Sequence, residues 1–521
     1  MHIQVFLRMF GSLLKILAVL LLIPGAVAAY YTETGGVIAF AVTSLLTLAA
    51  GIVLARLSSD EEAGIKEGFA MVSLGWLGAA FFGALPYFFL GTGMIDALFE
   101  SMSAFTTTGS SILTEFNSQG YWIINPTLAN SSIAHHLELA VQGITASSVI
   151  QISSGADETY MGLLFWRSFA QWLGGMGIIL LFVAILPRLG VAGRQLYRAE
   201  VPGPDKDALT PRIKQTARLL WGIYILLTAA EVALLCLAGM PLYDSLCNTF
   251  ASMATGGFSP RAFSIAAYNS WVIDLIITVF MFLAGANFAL HYRMIKSDRK
   301  ALIRDPEFRF YTMIVLVATA IIVLWGGLEG SVLRKLQLAG FQVVAIMTTT
   351  GFATADFDQW TAAAKYTLLL LMIIGACAGS TGGALKVVRI LLILKSGYRE
   401  LLHVMHPKAV IPLKLGGLPV RDEVLRPSNI FVGMYMIIFA LATLLLAIIS
   451  YGQPGMDVEA VISAVATTLG NVGPGFGMVG PAFSFAEVQP AGKMLLFFCM
   501  WMGRLEIITA LVLLVPEFWK K

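Results

Sequence analysis

Four short polar strings carry the residues whose types and spacing could handle an ion. Phe105-Thr106-Thr107-Thr108-Gly109-Ser110 and Met347-Thr348-Thr349-Thr350-Gly351-Phe352 are near copies of each other. Met253-Ala254-Thr255-Gly256-Gly257-Phe258 is looser, and Thr467-Thr468-Leu469-Gly470-Asn471-Val472-Gly473-Pro474-Gly475 is more divergent. Glycine permits positive φ, so successive carbonyls can turn toward one axis without a Cβ clash. Rings of such oxygens replace the hydration shell of a monovalent cation. A lone string of this kind reads equally well as a glycine turn or a small-residue packing seam. Four in corresponding places point instead to four loops meeting on one axis.

The elements that must position these loops follow from the pattern around them. Each string follows an apolar stretch of roughly 12 residues, too short to cross a bilayer, and precedes a full-length apolar segment. Irregular backbone is tolerated at membrane depth only where protein buries it or it lines a watery cavity. Half-helices aimed at such a cavity would present their partially negative C-terminal ends to a cation. Asp96, Asp244 and Asp457 lie near the expected starts of three of them, where a carboxylate caps the helix and favours its dipole.

A chain of 521 residues that is 58% hydrophobic and 12% charged, with mean hydropathy +0.80, belongs to the α-helical membrane class. A net charge of +3 gives no support to nucleic-acid binding. Cys236, Cys247, Cys377 and Cys499 lack CxxC spacing and read as reduced core residues. Arg8 and Lys15 before an apolar run ending Ala-Val-Ala-Ala resemble a secretory leader; the reading adopted is a first transmembrane helix.

Apolar spans fall at about 5–30, 36–56, 67–90, 161–187, 217–239, 271–295, 310–327, 366–395, 429–450 and 492–515, ten crossings in all. The linkers at 188–218, 293–309 and 386–426 are rich in Lys and Arg, whereas Ser111 to Tyr160 has neither. The basic linkers are therefore cytoplasmic, all four glycine strings face outward, and both termini lie inside. The expected fold is an all-α membrane protein. Two transmembrane helices (1–60) precede four pseudo-repeated modules of helix, pore half-helix, filter loop and helix around one pore. The modules run over 61–200, 201–300, 301–415 and 416–521, the third carrying an intramembrane loop. The candidate ion ligands are Thr108 and Gly109, Gly256 and Gly257, Thr350 and Gly351, and Val472 and Gly473.

The eighth span is interrupted by Gly375-Ala376-Cys377-Ala378-Gly379-Ser380-Thr381-Gly382-Gly383. Each glycine inside a helix costs up to about 1 kcal/mol relative to alanine, so this segment reads as a broken helix lining the cavity below the loops. Arg504, in the middle of the last span, should face a cavity or a partner such as Glu506 rather than lipid.

These motifs, with Gly503-Arg504-Leu505-Glu506-Ile507, resemble the Trk/Ktr/HKT superfamily of potassium transporters, and within it the TrkH-like members with two extra N-terminal helices. The resemblance covers about 450 residues. It implies potassium uptake across a bacterial inner membrane, with K+ held by carbonyls of one pore per protomer. It also implies a homodimer and a cytosolic TrkA-like nucleotide-binding subunit. By the same resemblance, the segment with Gly375, Gly379, Ser380, Thr381, Gly382 and Gly383 blocks the pore from inside, and Arg504 stands beside it as an electrostatic barrier. Glycine in all four filter positions is similar to the potassium-selective members.

No catalytic or nucleotide-binding string is present, and His403 and His406 alone make a weak metal pair. Two other classes stay open. A coupled symporter should show carboxylates in its spans, where Glu231 and Asp274 are nearly the only ones besides Glu506. A membrane-embedded enzyme would need a cluster of ionisable groups at midplane.

Overall fold

A computed structural model of the chain describes residues 2–57, 64–117, 119–123, 159–177, 213–296, 298–420 and 422–520. Helices α1 (Ile3–Tyr30) and α2 (Thr34–Arg56) are long enough, at about 1.5 Å per residue, to cross about 30 Å of hydrocarbon. They cross at Gly11 and Gly51, where a Cβ on either would lie within 2.8 Å of the other's carbonyl oxygen. Small residues let the two backbones touch. Val5, Met9, Leu13, Leu14 and Leu17 of α1 are buried, so the leader-like segment is a packed helix.

Four long helices then each lead into a short one. They are α3 (Ile65–Phe89) with α4 (Met94–Phe105), α6 (Ile213–Leu237) with α7 (Leu242–Met253), α10 (Pro306–Trp325) with α11 (Val332–Met347), and α14 (Asp422–Ile449) with α15 (Val458–Leu469). The short helices have 12, 12, 16 and 12 residues, and a 12-residue helix reaches only about 18 Å. Their C-terminal turns are largely buried, and those of α4, α7 and α15 carry Ser or Thr there.

A further helix follows each glycine string: α5 (Met161–Gly175), α8 (Trp271–Ala284), α12 (Ala362–Ile373) and α16 (Pro490–Arg504). Of the ten expected spans, two besides the eighth are bent rather than straight. Among the described residues, six helices are long and apolar enough to cross a membrane alone. The sixth span is bent by 97° between α8 and α9 (Phe288–Lys296), and the last by 111° between α16 and α17 (Ile508–Leu514). The eighth breaks, as read from its glycines, between α12 and α13 (Val387–Met405). The C-terminal part of the fourth lies outside the described residues. The break after α16 had no local signal. Glu506 and Ile507 take left-handed φ of +55° and +49° without a glycine or proline, a conformation that packing must impose.

Capping also departs from expectation. Asp457 accepts the Ala460 N–H at 2.8 Å and caps α15 as expected. Asp96 and Asp244 sit inside the first turn and pair instead with Lys493 at 2.5 Å and Arg261 at 3.0 Å. The N-cap positions there belong to Gly93 and Pro241.

After the first glycine string, β1 (Glu115–Phe116) and β2 (Trp122–Ile123) form a hairpin. It docks on the segment after the second string through a Tyr121–Arg261 bridge and the Trp122 N–H to Pro260 carbonyl bond. Cys247, Cys377 and Cys499 are buried free thiols, and Cys236 is a half-buried one.

Candidate ion site

The four strings share one backbone pattern. Thr107, Thr255, Thr349 and Asn471 have φ of +52°, +55°, +61° and +54°. Two residues on, Gly109, Gly257, Gly351 and Gly473 have φ of +85°, +75°, +77° and +110°. Alternating left- and right-handed residues turn successive carbonyls to the same side of the chain. Left-handed φ costs a β-branched residue about 1–2 kcal/mol, so three threonines held this way mark a strained, over-determined site. The glycines were legible as such; the left-handed threonines were not.

The loops close into a ring. A Cβ on Gly109 would overlap the Gly256 carbonyl oxygen, one on Gly257 that of Thr350, one on Gly351 that of Val472, and one on Gly473 that of Thr108, all closer than 3.0 Å. Each glycine therefore lies against the carbonyl that precedes the glycine of the next loop, and the fourth returns to the first. All eight candidate ligand residues are brought together, and the four glycines line a single cleft with Ser110, Ser111, Phe258 and Ser259.

Buried side chains brace the loops from behind, and these the sequence reading missed. Glu100 accepts the Ile112 N–H at 2.9 Å and pairs with buried Arg167 at 2.8 Å. Gln342 accepts the Thr354 N–H at 3.0 Å, and Ser463 accepts the Phe476 N–H at 2.9 Å. In each case the donor is the third residue after the loop glycine and the acceptor stands on the preceding short helix. Polar residues inside apolar half-helices were the available signal. The second loop cannot follow suit, because Pro260 at that place has no N–H. There Gln171 of α5 donates to the Gly256 carbonyl at 2.6 Å and accepts the Phe258 N–H at 3.1 Å.

Residues 374–386 fold directly beneath this ring. The Gly383 N–H donates to the Thr349 hydroxyl at 2.7 Å, and the Thr381 hydroxyl donates to the Met253 carbonyl at 3.1 Å. The Cys377 N–H reaches the Gly285 carbonyl at 3.0 Å, and the Phe288 N–H reaches that of Gly379 at 3.0 Å. A Cβ on Gly383 would lie 2.5 Å from the Gly470 carbonyl, and one on Gly382 would lie 3.1 Å from that of Thr348. The segment thus touches the second, third and fourth loops or the helices leading into them. Gly375 belongs to its base, where its N–H donates to the Leu385 carbonyl at 2.8 Å, and the Ser380 hydroxyl donates to the Cys377 carbonyl at 2.6 Å.

Two ionisable side chains brace the segment, one from α10 and one from its own end. Buried Glu307, in the first turn of α10, accepts the Ala378 N–H at 2.7 Å and the Val388 N–H at 3.1 Å. The Lys386 ammonium donates back to the Gly382 and Gly383 carbonyls.

Arg504 donates to the Thr381 carbonyl at 2.9 Å and to the Gly174 and Gly175 carbonyls at 2.7 and 3.1 Å. It ties the segment to the end of α5. Glu506, the partner named as an alternative, pairs with Arg389 at 2.5 Å. The guanidinium therefore faces protein carbonyls rather than lipid, as a charge at this depth must.

The sequence profile of TrkH, described as a cation transport protein, matches residues 36–521. The Trk system potassium uptake protein TrkH of Salmonella typhimurium is 38% identical over 531 residues, covering 100% of each chain. The protein of the same name from Vibrio parahaemolyticus is 38% identical over 534 residues, again covering 100% of each. TrkG of Escherichia coli is 31% identical over 532 residues, covering 100% of this chain and 99% of its own. Among solved structures, the crystal structure of the potassium transporter TrkH from Vibrio parahaemolyticus matches with a TM-score of 0.80 at 34% identity, covering 100% of both chains.

Proposed function

This chain belongs to the TrkH family of cation transport proteins, and from that premise we propose that it takes up potassium through a pore lined by its four glycine loops. It is a multi-pass membrane transporter, not an enzyme. The observation that carries the pore reading is the closed ring of loop glycines and neighbouring carbonyls. A ring built by one chain in four modules accounts for the repeat boundaries at 61–200, 201–300, 301–415 and 416–521. The carbonyls of Thr108, Gly256, Thr350 and Val472, with those of the following glycines, replace water around a dehydrated K+.

Below the ring, the segment carrying Gly375, Gly379, Ser380, Thr381, Gly382 and Gly383 closes the path, and Arg504 adds a positive charge beside it. Conduction requires that segment to move. The distribution of Lys and Arg supports an inner-membrane orientation with both termini cytoplasmic. The basic cytoplasmic linkers offer a docking face for a TrkA-like nucleotide-binding regulator, and the working unit is a homodimer.

Liposomes holding this chain test the pore reading through rubidium uptake with sodium competition. Gly351→Ser places a Cβ on the Val472 carbonyl and should collapse the preference for rubidium over sodium. An unchanged preference in folded Gly351→Ser would overturn the reading.

A further inference from the structure

We infer that Gln171, on a helix outside the four glycine strings, is a positioning residue that sets cation discrimination by holding the Gly256 carbonyl in the ring. The inference rests on the pore reading above and deepens it. In three loops the residue before the filter glycine has a side chain of its own. The Thr108 hydroxyl bonds that of Thr106 at 2.8 Å, the Thr350 hydroxyl bonds that of Thr348 at 2.8 Å, and Val472 is buried. The second loop has Gly256 there. A Cβ on Gly256 would lie 2.5 Å from the Gln171 side-chain carbon, so the carboxamide occupies the place a side chain fills elsewhere.

That carboxamide is fully buried and spans the loop, donating to the Gly256 carbonyl at 2.6 Å and accepting from the Phe258 N–H at 3.1 Å. Of the four carbonyls of Thr108, Gly256, Thr350 and Val472, that of Gly256 is the one for which a side-chain donor is seen among the described residues; one residue on, the Gly473 carbonyl accepts the Ser110 hydroxyl at 3.0 Å. Two consequences follow for an ion in the ring. The bond fixes the direction of this carbonyl, which a loop with glycine at both 256 and 257 would otherwise leave free. It also shares the oxygen's electron density between an amide donor and the ion, so this ligand of the ring is weaker. A ring whose oxygens are fixed in place discriminates between ions of different radius better than one that can contract around the smaller.

The test compares Gln171→Met, which keeps most of the volume and withdraws both hydrogen bonds, with wild type and with Gly351→Ser. The full chain is purified, its melting temperature recorded, and rubidium uptake measured in liposomes against increasing sodium. The expected result is a fall of about tenfold in rubidium-over-sodium preference for Gln171→Met, the scale of one buried hydrogen bond. A merely structural role would lower the melting temperature and total uptake together without moving that ratio. Should Gln171→Met fail to fold, Gln171→Ala combined with Gly256→Ala, whose methyl group enters the vacated space, is measured in its place. A wild-type ratio in the Gln171 variant with a collapsed ratio in Gly351→Ser overturns this inference and leaves the pore reading intact. Wild-type ratios in both overturn the pore reading, and this inference with it.

Discussion

The side-chain amide of Asn471 donates to the Thr108 hydroxyl at 3.0 Å, joining the fourth glycine loop to the first across 363 residues of sequence. The same nitrogen reaches the Met500 carbonyl at 3.0 Å, and the residue's φ of +54° is one that asparagine tolerates better than most. Asn471→Ala removes both bonds and adds left-handed strain in a fully buried place. We expect a loss of about 2–3 kcal/mol, read as a lower melting temperature in detergent, together with weaker discrimination against sodium. A variant as stable as wild type would show that ring closure does not depend on this contact.

Arg504 bridges Thr381 on the 374–386 segment to Gly174 and Gly175 on α5. Arg504→Ala removes a positive charge from the proposed path and releases the segment. Potassium flux should rise, on the order of tenfold for a unit charge removed from a poorly screened site. Unchanged or lower flux in the folded variant counts against the barrier role.

Glu307 gathers the Ala378 and Val388 N–H groups onto one carboxylate oxygen. Glu307→Gln keeps an acceptor there and should leave the segment in place. Glu307→Leu strands two buried donors, at about 1–3 kcal/mol each. Hydrogen exchange at the Ala378 and Val388 amides should then speed up, and flux should increase. Slow exchange in Glu307→Leu would assign the anchoring elsewhere.

Glu33 lies between α1 and α2, outside the spans, and accepts the Met161 N–H at 2.5 Å and the Gly162 N–H at 3.1 Å. Burial raises its pKa to about 7, and the two donors offset that only in part. A carboxyl raised above its unfolded value favours the fold when protonated. That contribution is complete below the ordinary value of 4.5 and is lost as pH rises through about 7. Melting temperature should therefore fall between about pH 5 and pH 8, with Glu33→Gln flattening the slope. A slope that survives in Glu33→Gln belongs to another group.

Much of this architecture could be read from residue order because membrane burial leaves few choices. Apolar length separates helices that cross from half-helices that do not, and glycine beside threonine marks where regular structure must stop. Repetition of the string made four loops visible, and the glycines of 375–383 announced the broken eighth span. The bends after α8 and α16 escaped, since nothing in Leu505-Glu506-Ile507 discourages a helix. The expected caps at Asp96 and Asp244 failed for a related reason. A carboxylate in a first turn favours the dipole whether or not it caps, and the cations that claimed these two, Lys493 and Arg261, lie far away or in another element.

By itself, then, the sequence determined the class of protein, the four glycine strings and the glycines on which they turn, because these depend on local chemistry and on the length of apolar runs. Tertiary structure alone decided which carbonyl faces which glycine, that Arg504 bonds Thr381 rather than Glu506, and that Gln171 stands in for a side chain missing from the second loop. Each of those is a contact between residues distant along the chain. Such contacts are fixed by how the helices pack around the axis, and no local run of residues specifies them.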